Sequence, residues 1–188
     1  PQFFFAQDRS IAEEAYAGDI VGLPNRGLLR IGDALTEGEE IAFLGIPNFA
    51  PEILRRVRLE DAIRARKLRE ALIEMSEEGV VQIFSPVDGT QPIVGVIGAL
   101  QLDVLAERLK NEYSLPIAFE TAPCEVARWM SCDDPKILQA FIDKNRSKIA
   151  DDQDGDKVFL AESNFALRWA ADKNPEIRFT DVKTIRTG

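Results

Sequence analysis

Phe43-Leu44-Gly45-Ile46-Pro47-Asn48-Phe49-Ala50-Pro51-Glu52-Ile53-Leu54-Arg55-Arg56-Val57-Arg58-Leu59 separates two stretches of unlike character. Pro47 and Pro51 each lack an N–H and fix φ, so neither a helix nor a central strand runs through them. Each also biases the residue before it, Ile46 and Ala50, toward an extended conformation. Residues 53–59 then read as an arginine-studded strand. Upstream the chain reads as short strands and turns; downstream, strands alternate with amphipathic helices. The stretch is read as the joint between two different domains.

Downstream, residues 61–78 pattern as a helix with Leu68, Ala71, Leu72 and Met75 on one face and Gly79 as its stop. Residues 80–84 and 93–97 are strands rich in β-branched side chains, separated by the turn former Ser85-Pro86-Val87-Asp88-Gly89. A second helix runs to about Tyr113, with Leu102, Leu105, Ala106, Leu109 and Tyr113 on its apolar face, and a strand at 115–120 closes the series. The order β-α-β-β-α-β is that of a ferredoxin-like split βαβ core over residues 52–121. Residues 122–188 extend it as a C-terminal α/β segment. A strand at 125–131 carries Trp129, and Asp134-Pro135 starts a helix as N-cap and first helical residue. Leu138, Phe141, Ile142 and Ile149 give that helix its apolar face. A polar acidic loop spans 151–156 and a short strand 158–161. Ser163 caps a helix bearing Phe165, Ala166 and Trp169 that Asn174-Pro175 ends. A last strand spans 177–179, and the polar tail is expected to fray.

Upstream, the apolar runs 3–6, 20–23, 28–31 and 41–44 alternate with turn formers such as Ala17-Gly18-Asp19 and Pro24-Asn25-Arg26-Gly27. Strands so short and close suggest part of a small barrel over residues 1–47. An open barrel edge invites pairing with a second copy. The fold class is therefore α+β, a partial β-barrel followed by a domain at 52–188.

Composition narrows the function. A chain of 188 residues, 45% hydrophobic and 29% charged, holds one or two globular domains. Its net charge of −9 argues against a general attraction to nucleic acid while leaving room for a local basic patch. No apolar run is long enough for a bilayer and no signal-peptide pattern is present, so a cytoplasmic protein is expected. The absence of histidine excludes Ser-His, Cys-His and His-metal chemistry. Cys124 and Cys132 read as core thiols, and Trp129 and Trp169 as core or interface residues. Gly95-Val96-Ile97-Gly98 lacks the third glycine of a dinucleotide fingerprint and reads as a tight approach of helix and sheet. The acidic loop fails as an EF-hand, because in register with Gly155 both end positions, Ala150 and Ala161, are alanine; a solvated loop is the plainer reading. No catalytic residue, cofactor site or metal site emerges. The polar feature that stands out lies between Glu52 and Glu70. Seven cations, Arg55, Arg56, Arg58, Arg64, Arg66, Lys67 and Arg69, outnumber four acids there and reverse the sign of an acidic chain. Arginine suits phosphate contact through its planar fork. The competing reading is a solvated face with pairs such as Arg66 and Glu70.

Glu14-Ala15-Tyr16-Ala17-Gly18-Asp19-Ile20-Val21-Gly22-Leu23, with Ile31-Gly32-Asp33-Ala34-Leu35-Thr36, resembles the second half of the β-barrel domain of translational GTPases. The resemblance sharpens at the joint. Gly45-Ile46-Pro47-Asn48-Phe49-Ala50-Pro51-Glu52 with Arg55-Arg56-Val57-Arg58-Leu59, residues 72–79, residues 94–104 and Val126-Ala127-Arg128-Trp129 are similar to bacterial peptide chain release factor 3, the class II release factor. It implies a C-terminal fragment, the end of barrel domain II plus the third domain, without the G domain that binds GTP or GDP. It also implies a role in translation termination, in which the GTP-bound parent engages a ribosome and drives off a class I release factor. Under this resemblance Arg55, Arg56 and Arg58, with Arg64 and Lys67, are the candidates for contact with small-subunit RNA or protein. The alternative is a free-standing ferredoxin-like regulatory or ligand-binding module; an enzyme using carboxylates ranks third.

Overall fold

A computed structural model gives the structure of the protein and describes residues 2–5, 8–11, 14–24, 29, 32–39, 41, 47–59 and 61–184. The architecture is α+β, with antiparallel sheets and four α-helices among the described residues. The chain divides into two compact units, Pro1–Arg30 and Ile31–Gly188.

The first unit is a three-stranded antiparallel sheet of β1 (Gln2–Phe5), β2 (Asp8–Ile11) and β3 (Val21–Gly22), in the order β2-β1-β3. Strands at β1 and β3 follow the apolar runs of the sequence. Strand β2 was not expected, because Asp8-Arg9-Ser10 shows no apolar alternation. Gly18, at φ +99°, turns the chain ahead of β3, and the Asp19 carboxylate accepts from the Tyr16 N–H at 2.7 Å. No closed barrel forms among the described residues. The runs at 28–31 and 41–44 lie largely outside them.

The second unit begins its regular structure in the joint, with β4 (Pro47–Phe49) and then β5 (Ile53–Leu59). A 3-10 turn at Ala62–Arg64 leads into α1 (Ala65–Glu77), followed by β6 (Gln82–Pro86), β7 (Ile93–Val96), α2 (Leu100–Tyr113) and β8 (Ile117–Thr121). The remainder comprises β9 (Val126–Ser131), α3 (Pro135–Lys144), a 3-10 turn at Arg146–Lys148, β10 (Ile149–Asp151) and β11 (Lys157–Ala161). It ends with α4 (Asn164–Lys173), β12 (Arg178–Thr180) and β13 (Val182–Thr184). Eight strands form one sheet in the order β12-β9-β11-β10-β6-β7-β5-β8, and β13 pairs with β4 separately.

Strand alternation sorts the apolar side chains into three clusters. On one face of β5, Val57 packs with Leu68, Leu72 and Met75 of α1 and Leu105 and Leu109 of α2. On the other, Leu54 joins Phe84 and Ile93, and these meet Trp129, Ala150, Val158 and Leu160 from the later strands. The opposite face of those later strands carries Met130, Ile149 and Phe159 against Phe141 and Ile142 of α3 and Ala170 of α4. Each half of the sheet therefore has helices on one face, and the two halves share a core on the other.

Local signals explain most element ends. Gly79, at φ +74°, closes α1 in a Schellman arrangement: its N–H reaches the Ser76 carbonyl at 2.9 Å and that of Val80 the Met75 carbonyl at 3.1 Å. The Asp134 side chain accepts from the Lys136 N–H, with Pro135 at the first helical position, and Ser163 caps α4 through the Ala166 N–H. Three expectations need correction. Ile149 does not belong to the helix face of α3. That helix stops at Lys144, where the Asn145 amide bonds back to the Phe141 carbonyl at 2.8 Å, and Ile149 opens a buried strand instead. The tail is not frayed through residue 184, because β13 finds β4 as its partner. The acidic loop is not simply solvated, since Asp152 is buried.

Candidate functional site

Strand β5 distributes the three arginines of the joint over both faces of the sheet. Arg56 and Arg58 share the face of Leu54, while Arg55 has the parity of Val57 and pairs across the ladder with Val94 of the helix-side core. The Arg55 Nη1 donates to the carbonyl of its own neighbour, Leu54, at 2.8 Å. Arg58 lies 3.3 Å from Glu120 on β8 in a pair that is open to water on both sides, and such pairs contribute only about 0–1 kcal/mol. Arg56 is half-buried, and among the described residues no hydrogen-bond or ion-pair partner takes its guanidinium.

Arg64 and Lys67 are placed elsewhere and do other work. Both reach the C-terminal end of α2, where Ser114 adopts a left-handed conformation at φ 56°. Arg64 Nη1 donates to the Ser114 carbonyl at 3.0 Å and Lys67 Nζ to the Tyr113 carbonyl at 2.6 Å. Cations here satisfy orphan carbonyls and oppose the negative end of the helix dipole. The structure thus brings Arg56 and Arg58 together and separates them from Arg64 and Lys67. Arg66, by contrast, directs its charge within α1 to Glu70 at 2.8 Å.

Arg56 instead meets residues from far along the chain. It lines a recess of about 230 Å³ together with Ser147 and Lys148, which the 3-10 turn before β10 delivers. No periodicity in the sequence links residue 56 to residue 148; only the strand order, with β6 between β7 and β10, does so. Cys124 lines the same recess, and burial pushes its thiol up to about 11 despite the opposing pull of the Arg56 charge. It is therefore a protonated core thiol at neutral pH, as the sequence suggested, and not an activated nucleophile.

A second polar cluster was missed. Asp152, Asp154 and Asp156 place one carboxylate oxygen each within 4.8 Å of one another, a spacing that suits a metal ion. The cation among them is the ammonium of Lys183, at 2.7, 2.7 and 2.6 Å. Asp152 also accepts from the Trp129 indole N–H at 2.9 Å, and through its other oxygen from the Asp154 and Asp156 amides. Burial alone would lower the Lys183 ammonium, but its hydrogen bonds to the three carboxylates hold it above the ordinary lysine range. The cluster is a structural joint between the loop before β11 and strand β13, in which one ammonium is shared by three carboxylates.

No helix among the described residues is long and apolar enough to cross a membrane. The family model for the C-terminal domain of the class II release factor RF3 matches residues 43–171, more than half of the chain. The match begins in the joint and takes in β5 with its arginines, both helix-bearing faces of the large sheet and the acidic loop. It gives the chain the context of a translation-termination factor, and the chain belongs to the class II release factor RF3 family by its C-terminal domain.

Proposed function

We propose that this chain is the ribosome-binding and signal-relaying part of a GTPase that promotes departure of class I release factors from the ribosome. The observation that carries the reading is the family match over residues 43–171. Residues 52–121 act as a ferredoxin-like core, a reading supported by the order β6-β7-β5-β8 within the larger sheet, with residues 122–188 as its extension and residues 1–47 as the end of a barrel domain. Nucleotide belongs to a G domain outside this sequence, so the chain itself neither binds nor hydrolyses GTP and works in the cytoplasm as a gripping and transmitting element. In energetic terms the nucleotide state would bias two ribosome states through differential affinity, and this domain supplies part of the contact on which that bias acts.

The contact is assigned to the face of β5 that carries Arg56 and Arg58. Arg58 is held by one weak, water-exposed pair and Arg56, among the described residues, by none, so both can turn to phosphate or carboxylate at little cost. Charge reversal of Arg55, Arg56 and Arg58 to glutamate, followed by sedimentation with ribosomes over a salt series, tests the reading. Binding should weaken at low salt, and the salt slope should flatten by roughly 0.7–0.9 for each phosphate that the arginines no longer neutralise. Unchanged binding across the series would overturn it.

A further inference from the structure

We propose that the recess between β5 and the turn before β10 is a phosphate-binding site, built by Arg56, Lys148 and the Ser147 hydroxyl. It deepens the ribosome-contact reading and rests on it only for the source of the phosphate. Arg56 rises from the face of β5 that also holds Leu54, half-buried and with no protein acceptor among the described residues. A partly desolvated guanidinium without an acceptor is costly, and an anion relieves that cost. Ser147 likewise has no protein partner there for its hydroxyl, and Lys148 sits beside it on the same turn. The recess, of about 230 Å³, is several times the roughly 30 Å³ share of one water and has room for a tetrahedral anion.

The surrounding charges decide the sign. Glu162 lines the recess and pairs with Lys148 at 2.9 Å, so one carboxylate stands against two cations. That pair is open to water, with side-chain exposures of 37% and 64%, and an arriving dianion displaces it easily. Thr90, also on the rim, gives its N–H and hydroxyl to Asp88. Those two bonds, with a smaller contribution from Arg146, hold the Asp88 carboxyl below its usual range, so that it stays ionised, with Arg146 as the cation that opposes it. Thr90 therefore contributes no donor, and the anion is held by two cationic side chains and one hydroxyl.

Inorganic phosphate titrated into the purified chain and followed by amide chemical shifts tests the site. Shifts should saturate at Ser147, Lys148 and Arg56. Arg56→Gln and Lys148→Gln should each weaken binding by roughly tenfold, the size expected for a charge-assisted hydrogen bond. Glu162→Gln should tighten it, since it removes the opposing carboxylate and frees Lys148. If Arg56→Gln disturbs the fold, which changes in its spectrum far from the recess would reveal, Lys148→Gln and Ser147→Ala carry the test. A short RNA that displaces phosphate from the same amides identifies a backbone phosphate as the ligand; an RNA that does not, while phosphate binds, identifies a free phosphate compound. Absence of shifts in the recess, or shifts that ignore both Arg56→Gln and Glu162→Gln, overturns the proposal. Loss of ribosome binding in the β5 charge reversals alongside a recess that takes no phosphate would remove only the recess.

Discussion

Lys183 carries its ammonium into a site where its side chain is 9% exposed and that of Asp152 only 2%, so neither charge is answered by bulk water. Removing one partner of a buried pair leaves the other uncompensated and costs about 3–5 kcal/mol. Lys183→Met should therefore lower the unfolding free energy measured in a urea melt by that order, and Asp154→Asn on the same background should recover part of the loss; a loss well under about 1 kcal/mol would refute the pairing. The pH dependence has a definite sign. Because the folded-state value lies above the unfolded one, the stabilisation is complete below about pH 10.4 and fades as pH rises through the raised folded value. The wild-type protein should show this alkaline loss and Lys183→Met should not. None of this was legible in sequence. Asp151 to Asp156 reads as a loop because its residues are polar, and the lysine that three of its carboxylates share lies some thirty positions further on, in a tail whose composition suggests fraying.

Strand β7 offers a test at the level of elements. A Cβ added at Gly95 would lie 2.5 Å from the Cγ of the buried Pro51 and 2.8 Å from the ring of Phe84, which belongs to the core around Leu54. The glycine is thus explained by the proline of the joint crossing over β7, and not by an approach of α2, which is what the Gly95-Val96-Ile97-Gly98 spacing suggested. Gly95→Ala should destabilise by about 1–3 kcal/mol, the range for overpacking. Combining it with Pro51→Ala, which removes the nearest atom, should restore part of that in a denaturant melt; no restoration would place the strain elsewhere. Elements with strong local signals were readable. The Asp134-Pro135 start of α3, the Ser163 cap of α4 and the Gly79 stop of α1 each act within one turn of chain. Strand β10 was not readable, because three residues after a helix show no period and gain their identity from β6 and β11 on either side. The candidate site divides in the same way. Arginine alternation along β5 could be read, whereas the meeting of Arg56 with Lys148 and the diversion of Arg64 and Lys67 to the end of α2 depend on tertiary neighbours.

Across the whole second unit, the joint and the C-terminal strand form one clasp. Strand β13 pairs with β4 at Phe49–Val182, Asn48–Lys183 and Pro47–Thr184, and the Ala50 N–H donates to the Asp181 carbonyl at 2.7 Å. The Gln82 amide of β6 donates to the Asn48 side chain at 2.8 Å and the Phe49 carbonyl at 2.6 Å. Through Lys183 the same strand fastens the loop before β11. Segments near residues 48, 82, 154 and 183 are held together by a strand that belongs to neither half of the large sheet. Proline at position 47 is tolerated here because β4 has a partner on one side only. Ending the chain at Asp181 should cost more stability than Lys183→Met, since it removes the β4 ladder as well as the ammonium. Hydrogen exchange should locate the damage, with amides of residues 48–50 and 152–156 losing protection first, while those of α1 and α2, which pack on the opposite face of β5, keep theirs until global unfolding. Should the truncated chain retain both its melting midpoint and the protection of residues 48–50, the clasp would be ornamental, and the joint would owe its conformation to Pro47 and Pro51 alone.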